Sequence, residues 1–255
     1  MRIMKIVFVT LLIILALLIL REIIKDSPSL LIKNFNNKNL DSKSLSMKIK
    51  FLGILPAATA KIEDLGTDRL DRKSVLHFRA TAKTMDYFSK IFNAQMQADS
   101  FVDSKTLCPL KFIQQVKTPG TYNYNRELVY DHKQKIMNTG DVQRVIFEDT
   151  RDPISAIFYL RSQEFQVGKE IQTHINTNQK NYIMIAKVSD YKELVLGNGK
   201  VGYWIVTAEV KRADKSPRHK SRLTIWFFNN KDKTPFLIKI VTAGGLVTVS
   251  LTGLD

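Results

Sequence analysis

Apolar and polar residues alternate with a period of two over most of the chain beyond Ser46. MKIKFLG (47–53), TYNYNRELVYD (121–131), VQRVIFE (142–148), EIQTHINT (170–177) and NYIMIAKVSD (181–190) carry the pattern, SVLHFRATAKT (74–84) less cleanly. Such alternation puts every second side chain on one face and predicts strands with one buried and one wet side. Turn signals separate the runs: TPGT (118–121), NTGD (138–141), NTNQK (176–180), GNGK (197–200) and NNKDKTP (229–235). Their spacing predicts antiparallel hairpins. In ELVLGNGKVGYWIVTAEV (193–210), Asn198-Gly199 is the expected source of the positive φ angles of a tight turn. Roughly 11 to 13 strands are too many for a twisted open sheet to stay flat, so a curled antiparallel sheet or open β-barrel is expected.

The period changes in two places. DPISAIFYLR (152–161) predicts a short helix, with Asp152 as its N-cap and Pro153 at the first helical position, where a missing N–H costs nothing. At 100° per residue Ile154, Ile157, Phe158 and Leu160 cover one broad arc with Arg161 inside it, and Ser155, Ala156 and Tyr159 lie opposite. A helix this short needs a partner surface, so it is expected to plug the concave side of the sheet. TMDYFSKIF (84–92) reads as a second short helix or an irregular link.

The N-terminus breaks the pattern altogether. Arg2 and Lys5 precede the uncharged run Ile6 to Leu20, and Arg21, Glu22, Lys25 and Asp26 follow it. The run is as long as a signal-peptide core, and with Ile23 and Ile24 it reaches the roughly 17 to 25 residues of a spanning helix. No small-residue cleavage site follows. Residues 1–26 are therefore expected to be an uncleaved signal anchor, a transmembrane helix in the bacterial inner membrane. Basic residues before the run place the N-terminus in the cytoplasm and the C-terminal domain in the periplasm. The alternative is a secreted or periplasmic chain released by signal cleavage. Residues 27–45, rich in Ser, Asn and Lys, read as a polar tether, and 46–255 as the β-domain.

With Lys and Arg at 39 against 24 Asp and Glu, the formal net charge is +15. Six of the cations cluster in KRADKSPRHKSR: Lys211, Arg212, Lys215, Arg218, Lys220 and Arg222, against Asp214. They fall between two strands, and such a hairpin tip is suited to anionic lipid headgroups. Nucleic acid is disfavoured by export and by the lack of aromatic residues between the cations.

The chemistry-bearing motifs are few. GNGKVG (197–202) spells a dinucleotide fingerprint, but a strand follows where a helix must begin. His77, His132, His174 and His219 are dispersed, and Cys108 is the only cysteine, so neither a short-spaced metal site nor an internal disulfide is encoded. No cofactor is implied. Asp131, Tyr159 and Arg161 are the candidate ligand-binding residues, and Asp131, Asp152 and Arg161 are the groups an enzyme would place near the barrel mouth.

MKIKFLGILPAATAKIE (47–63), FRATAKT (78–84), DSKTLCPLKF (103–112) and LVYDHKQKIM (128–137) together resemble the domain of unknown function 3108 family of exported bacterial proteins. The likeness is strongest at DPISAIFYLRSQEFQVGKEIQTHI (152–175), and it continues through LTIWFFNNKDKTPFLIKI (223–240) and GGLVTVSL (244–251). Thr234 stands where that family more usually has a charged residue before the proline. The resemblance covers about residues 46–254 and implies a mainly antiparallel β-domain in the bacterial envelope with no established activity. No catalytic residue carries over from it. The leading expectation is a non-enzymatic, membrane-tethered protein that binds a lipid-like or other envelope component on the concave face of the sheet. The alternatives are an enzyme acting on envelope glycans or lipids and an assembly subunit of an envelope complex.

Overall fold

The computed structural model describes residues 28–33, 43–86, 93–118, 122–196, 199–214 and 220–252. The anchor expected at 1–26, most of the link at 84–92 and the tip of the basic hairpin lie outside the described residues. Among the described residues no helix is long and apolar enough to cross a membrane.

Among the described residues fifteen strands form one sheet. One arm runs through β1 (Ser44–Phe51), β2 (Leu55–Leu70), β3 (Lys73–Thr84), β4 (Gln95–Val102), β5 (Pro109–Thr118), β6 (Tyr122–Asp131), β7 (Ile136–Thr139) and β8 (Val142–Val145). The other comprises β9 (Thr150–Arg151), β10 (Glu170–Thr177), β11 (Lys180–Leu196), β12 (Gly199–Arg212), β13 (Lys220–Phe228), β14 (Pro235–Thr242) and β15 (Gly245–Leu251). Each arm is a meander, and the antiparallel pairing of β1 with β15 joins them into the order β8-β7-β6-β5-β4-β3-β2-β1-β15-β14-β13-β12-β11-β10-β9. Only β9 and β10 are parallel among the described pairs.

The count exceeds the 11 to 13 strands read from the sequence because IMNT, VQRV and TR are too short to show a period. The predicted turns fall between paired strands. At β10–β11, Asn178 (φ 50°) and Gln179 (φ 59°) adopt the left-handed conformation without glycine. The β11–β12 loop corrects one assignment. Leu196 pairs with Gly199, so Gly199 is the first residue of β12 and not a turn residue, with no positive φ. A Cβ on Gly199 meets nothing within 4 Å. Gly199→Val is therefore expected to change stability by no more than about 0.5 kcal/mol, as for an ordinary surface substitution, measurable by chemical denaturation.

Helix α1 (Pro28–Lys33) lies within the stretch 27–45 expected as a tether. Leu31 and Ile32 are buried among Leu45, Met47, Tyr203, Phe236 and Leu237, so these two residues pack against the domain. Apolar SLLI within a polar stretch is too short to show periodicity, which is why composition hid it.

Helix α2 (Pro153–Ser162) explains the curl of the sheet. It touches β3 and β4 on one arm and β9 and β10 on the other, although seven strands, β2, β1 and β15 through β11, intervene in the sheet order. The sheet has to wrap around the helix for both contacts to exist. Register shifts at 49/50, 64/67, 101/102, 188/190 and 226/227 supply bends, since each inserts residues on one strand and raises the local twist. The two sheet edges, β8 and β9, are consecutive in sequence, and Asn181 Nδ2 on β11 donates to Val145 O on β8 at 2.7 Å. The result is a rolled sheet, open along the β8/β9 seam.

The two faces of α2 serve different arms. Ala156 and Leu160 pack with Phe165, Val206, Ile225 and Phe227, whereas Ile154 and Phe158 pack with Phe78, Phe112, Leu128 and Met137. Phe158 stacks on Phe78 with ring centroids 3.6 Å apart and planes 6° from parallel. Because sheet surrounds it, the helix is not one-sided: Ser155 and Ala156, opposite the apolar arc, are as buried as Ile154, and Ile157 is only half-buried.

Candidate functional site

Asp152 holds the start of α2 with its side chain entirely removed from solvent, 0% exposed. Its extended backbone lets Oδ1 accept from Ile154 N at 2.8 Å and Ser155 N at 3.0 Å, and Oδ2 accepts from Ser100 Oγ of β4 at 2.5 Å. Burial pushes this carboxyl above its ordinary range, against the hydrogen bonds, which favour the charged form. Tyr130 Oη lies buried nearby without a hydrogen-bond partner among the described residues, and burial followed by the charge of Asp152 pushes that phenol well up. The arrangement is a cap that ties the helix to the sheet, and the concave side is occupied by the helix and its two core clusters.

A second polar cluster closes the seam. Arg151, 4% exposed, donates from Nη1 to Asp149 O (2.8 Å) and Thr173 Oγ1 (2.6 Å) and from Nη2 to Thr106 O (3.0 Å). Its guanidinium lies 3.6 Å from the centroid of the Tyr159 ring. His174 bonds through Nδ1 to the Asp149 carboxylate and stacks on Phe147. The ring nitrogens of His132 face Glu148 O (2.8 Å) and Pro109 O (2.7 Å). These bonds fasten the segment between β8 and β9 to both arms.

On β3 and β4 the residues that alternate with core-facing Phe78, Ala98 and Ser100 form a third cluster. Asp99 accepts from His77 Nε2 (2.7 Å), Arg79 Nε (2.6 Å) and Gln97 Nε2 (2.8 Å). The other nitrogen of His77 is 3.3 Å from Asp68 Oδ2, and its ring stacks on Phe101. Burial raises the Asp99 carboxyl, but the bonds from Gln97, His77 and Arg79 together outweigh it and hold the group below its ordinary range. Its stabilising contribution is thus present above that range and lost as pH falls through the depressed value. Melting curves from pH 7 downward should fall more steeply below about pH 4 in the parent than in Asp99→Asn.

A groove of about 540 Å³ lies on the same outer face of β1–β5. Cross-strand register builds it from two adjacent rows. Lys61, Thr81, Gln97 and Gln115 stand opposite one another in the first, and Thr59, Lys83, Gln95 and Lys117 in the second. Neighbouring residues in a row are about 4.8 Å apart and the rows about 7 Å, by strand geometry. Lys61 bonds Glu63 at 2.6 Å; Lys83 and Lys117 have no carboxylate partner among the described residues. Neither row contains an acid. A second groove, about 330 Å³, on β11–β13 mixes Lys187 and Arg222 with Glu209 and half-exposed Ile185.

The residues singled out from sequence do not converge. Asp131 ends β6, where Oδ1 accepts from Gln134 N and shapes the turn. Tyr159 underlies Arg151. Arg161 donates from Nε to Asp232 O at 2.8 Å and lies over Phe158, its own carbonyl accepting from Lys233 Nζ. Burial lowers the Arg161 guanidinium, opposed by Asp232 and Asp64. None of the three lines either groove. The basic hairpin is less polarised than its sequence suggested, because Glu209 on β12 faces Lys211 (2.8 Å) and Arg222 (3.8 Å), and Asp214 pairs with Arg212. Lys215, Arg218 and the Lys220 side chain lie outside the described residues.

Among the described residues no three His, Cys, Asp or Glu side chains gather as metal ligands. Cys108 is buried, and burial pushes its thiol up. The groove lysines and glutamines escaped the sequence reading because each strand alone shows only an ordinary wet face; the register across β2–β5 brings them together.

No curated protein matches the chain. A solved structure described as a beta-barrel-like protein of domain of unknown function DUF1849 from Brucella abortus is similar in fold, with TM-score 0.53 and 11% identity, over 82% of this chain and 94% of that one. At that identity the likeness speaks for the rolled β architecture alone. The family described as a protein of unknown function (DUF3108) matches residues 46–252, from the middle of β1 to the end of the described sheet, and the chain belongs to that family.

Proposed function

We propose that the chain is a membrane-tethered, non-catalytic binding domain of the bacterial envelope whose ligand is held on the outside of the rolled sheet. One observation carries the reading: the concave side, where a lipid carrier keeps its cargo, is filled by α2 and the clusters around Phe158 and Leu160. Of the two grooves described on the sheet, the one with cations unpaired among the described residues and no acid is the polar groove on β1–β5. The histidines His77, His132 and His174 support a binding role over catalysis, since each is engaged in bonds that fasten strands or the seam. The basic N-terminus followed by Ile6–Leu20 supports the tether and the periplasmic orientation.

Native mass spectrometry of the full chain, isolated from the membrane fraction of cells that express it, tests the proposal. The expected result is the intact chain, residues 1–26 included, carrying a bound envelope component. A soluble chain that begins after Leu20 and carries no added mass would overturn it.

A further inference from the structure

We propose that the groove on β1–β5 binds an anionic polysaccharide, a reading that rests on the binding role above and names its ligand class. Three properties of the groove select that class. Lys83 and Lys117, unpaired among the described residues, sit in one row on β3 and β5. Two strand spacings separate them by about 10 Å, the scale on which every second carboxylate recurs along an extended polyuronate. Between and beside them, Gln95, Gln97 and Gln115 present amides, and Thr59 and Thr81 hydroxyls. Amides both donate and accept, so they match the alternating donor and acceptor character of sugar hydroxyls.

The lining also argues against competing ligands. It holds no aromatic ring on which a nucleobase could stack. Its apolar lining is confined to Met47, Ala60, Ala82 and Met96, too little to take up an acyl chain. Unlike the β11–β13 groove, where Glu209 stands beside Arg222, its second row carries, among the described residues, two cations without a carboxylate partner, Lys83 and Lys117. The cations have a rigid platform, since every strand beneath them is paired on both sides.

The test uses the full chain in detergent and a fluorescently labelled polyuronate oligosaccharide, with neutral dextran and phosphatidylglycerol vesicles as comparators. Lys83→Gln/Lys117→Gln should weaken polyuronate binding about tenfold or more, by loss of two charge-assisted contacts. Lys211→Gln/Arg222→Gln removes the same charge from the basic hairpin and should change affinity less than about threefold, as bulk attraction alone would. Both variants alter exposed side chains, so equal melting temperatures verify the fold. Equal losses in the two variants, equal binding of dextran, or binding of vesicles without polyuronate would each overturn the proposal. If the component seen by native mass spectrometry stays bound to Lys83→Gln/Lys117→Gln, the ligand sits elsewhere: the binding role stands and the groove assignment fails.

Discussion

Phe158→Ala is expected to lower stability by about 3 to 5 kcal/mol, the range for truncating a buried aromatic side chain. The ring is 9% exposed, lies flat on Phe78 and has the Arg161 guanidinium 4.9 Å from its centroid. Its removal leaves a void between the helix and β3 that neither can readily fill, because α2 is pinned by Asp152 at one end and by Arg161 and Lys233 at the other. Loss on that scale is a large share of a typical domain's ~5 to 15 kcal/mol. Urea denaturation of parent and variant measures it. A lid would behave differently, since its apolar face is buried only part of the time, and the variant would then melt within a degree or two of the parent.

The second large effect is at the cap. Asp152→Ala removes the acceptor of Ile154 N and Ser155 N and strands Ser100 Oγ in the interior. Loss of an N-cap costs about 0.5 to 2 kcal/mol and each buried unpaired group about 1 to 3 kcal/mol. A combined loss of about 3 kcal/mol or more follows from those ranges. Asp152→Asn keeps the cap oxygen and offers an amide that Ser100 can bond, so it should remain within about 1 kcal/mol of the parent. The pH dependence separates the two residues further. Burial raises the carboxyl, so the parent gains from its neutral form below the ordinary carboxylate range and loses that contribution as pH rises through the raised value. Asp152→Asn should lack that fall.

These two residues also show what the sequence conveyed. Asp152 before Pro153 is a local signal, complete within the cap motif, and the helix appears where the motif puts it. The alternating runs and their turn residues carry the sheet in the same way, one hairpin at a time. What failed was whatever depends on a partner distant in the chain. Ser155 and Ala156 were placed opposite the apolar arc, and their burial was not legible, because helical periodicity assumes a single packing surface whereas the sheet surrounds α2. The packing of Leu31 and Ile32 was not legible because the aromatic pocket that takes them comes from β12, β13 and β14. Glu209 was left out of the basic segment because it precedes it, yet it neighbours Lys211 on the same face of β12 and antiparallel pairing sets it opposite Arg222. The groove was hidden for the same reason: Lys83 and Lys117 are 34 positions apart in sequence and meet only through the β3–β4–β5 register.

Native-state hydrogen exchange of the α2 amides tests most directly the claim that the helix is a built-in plug and the ligand surface lies outside. With rising denaturant, the amides of Phe158, Tyr159 and Leu160 should exchange at the free energy of global unfolding, in step with the core strands β12 and β13. A polyuronate bound in the groove should leave that equivalence unchanged. Exchange of the α2 amides through an opening well below the global free energy, with β12 and β13 still protected, would show a helix that lifts off the sheet and would contradict the account.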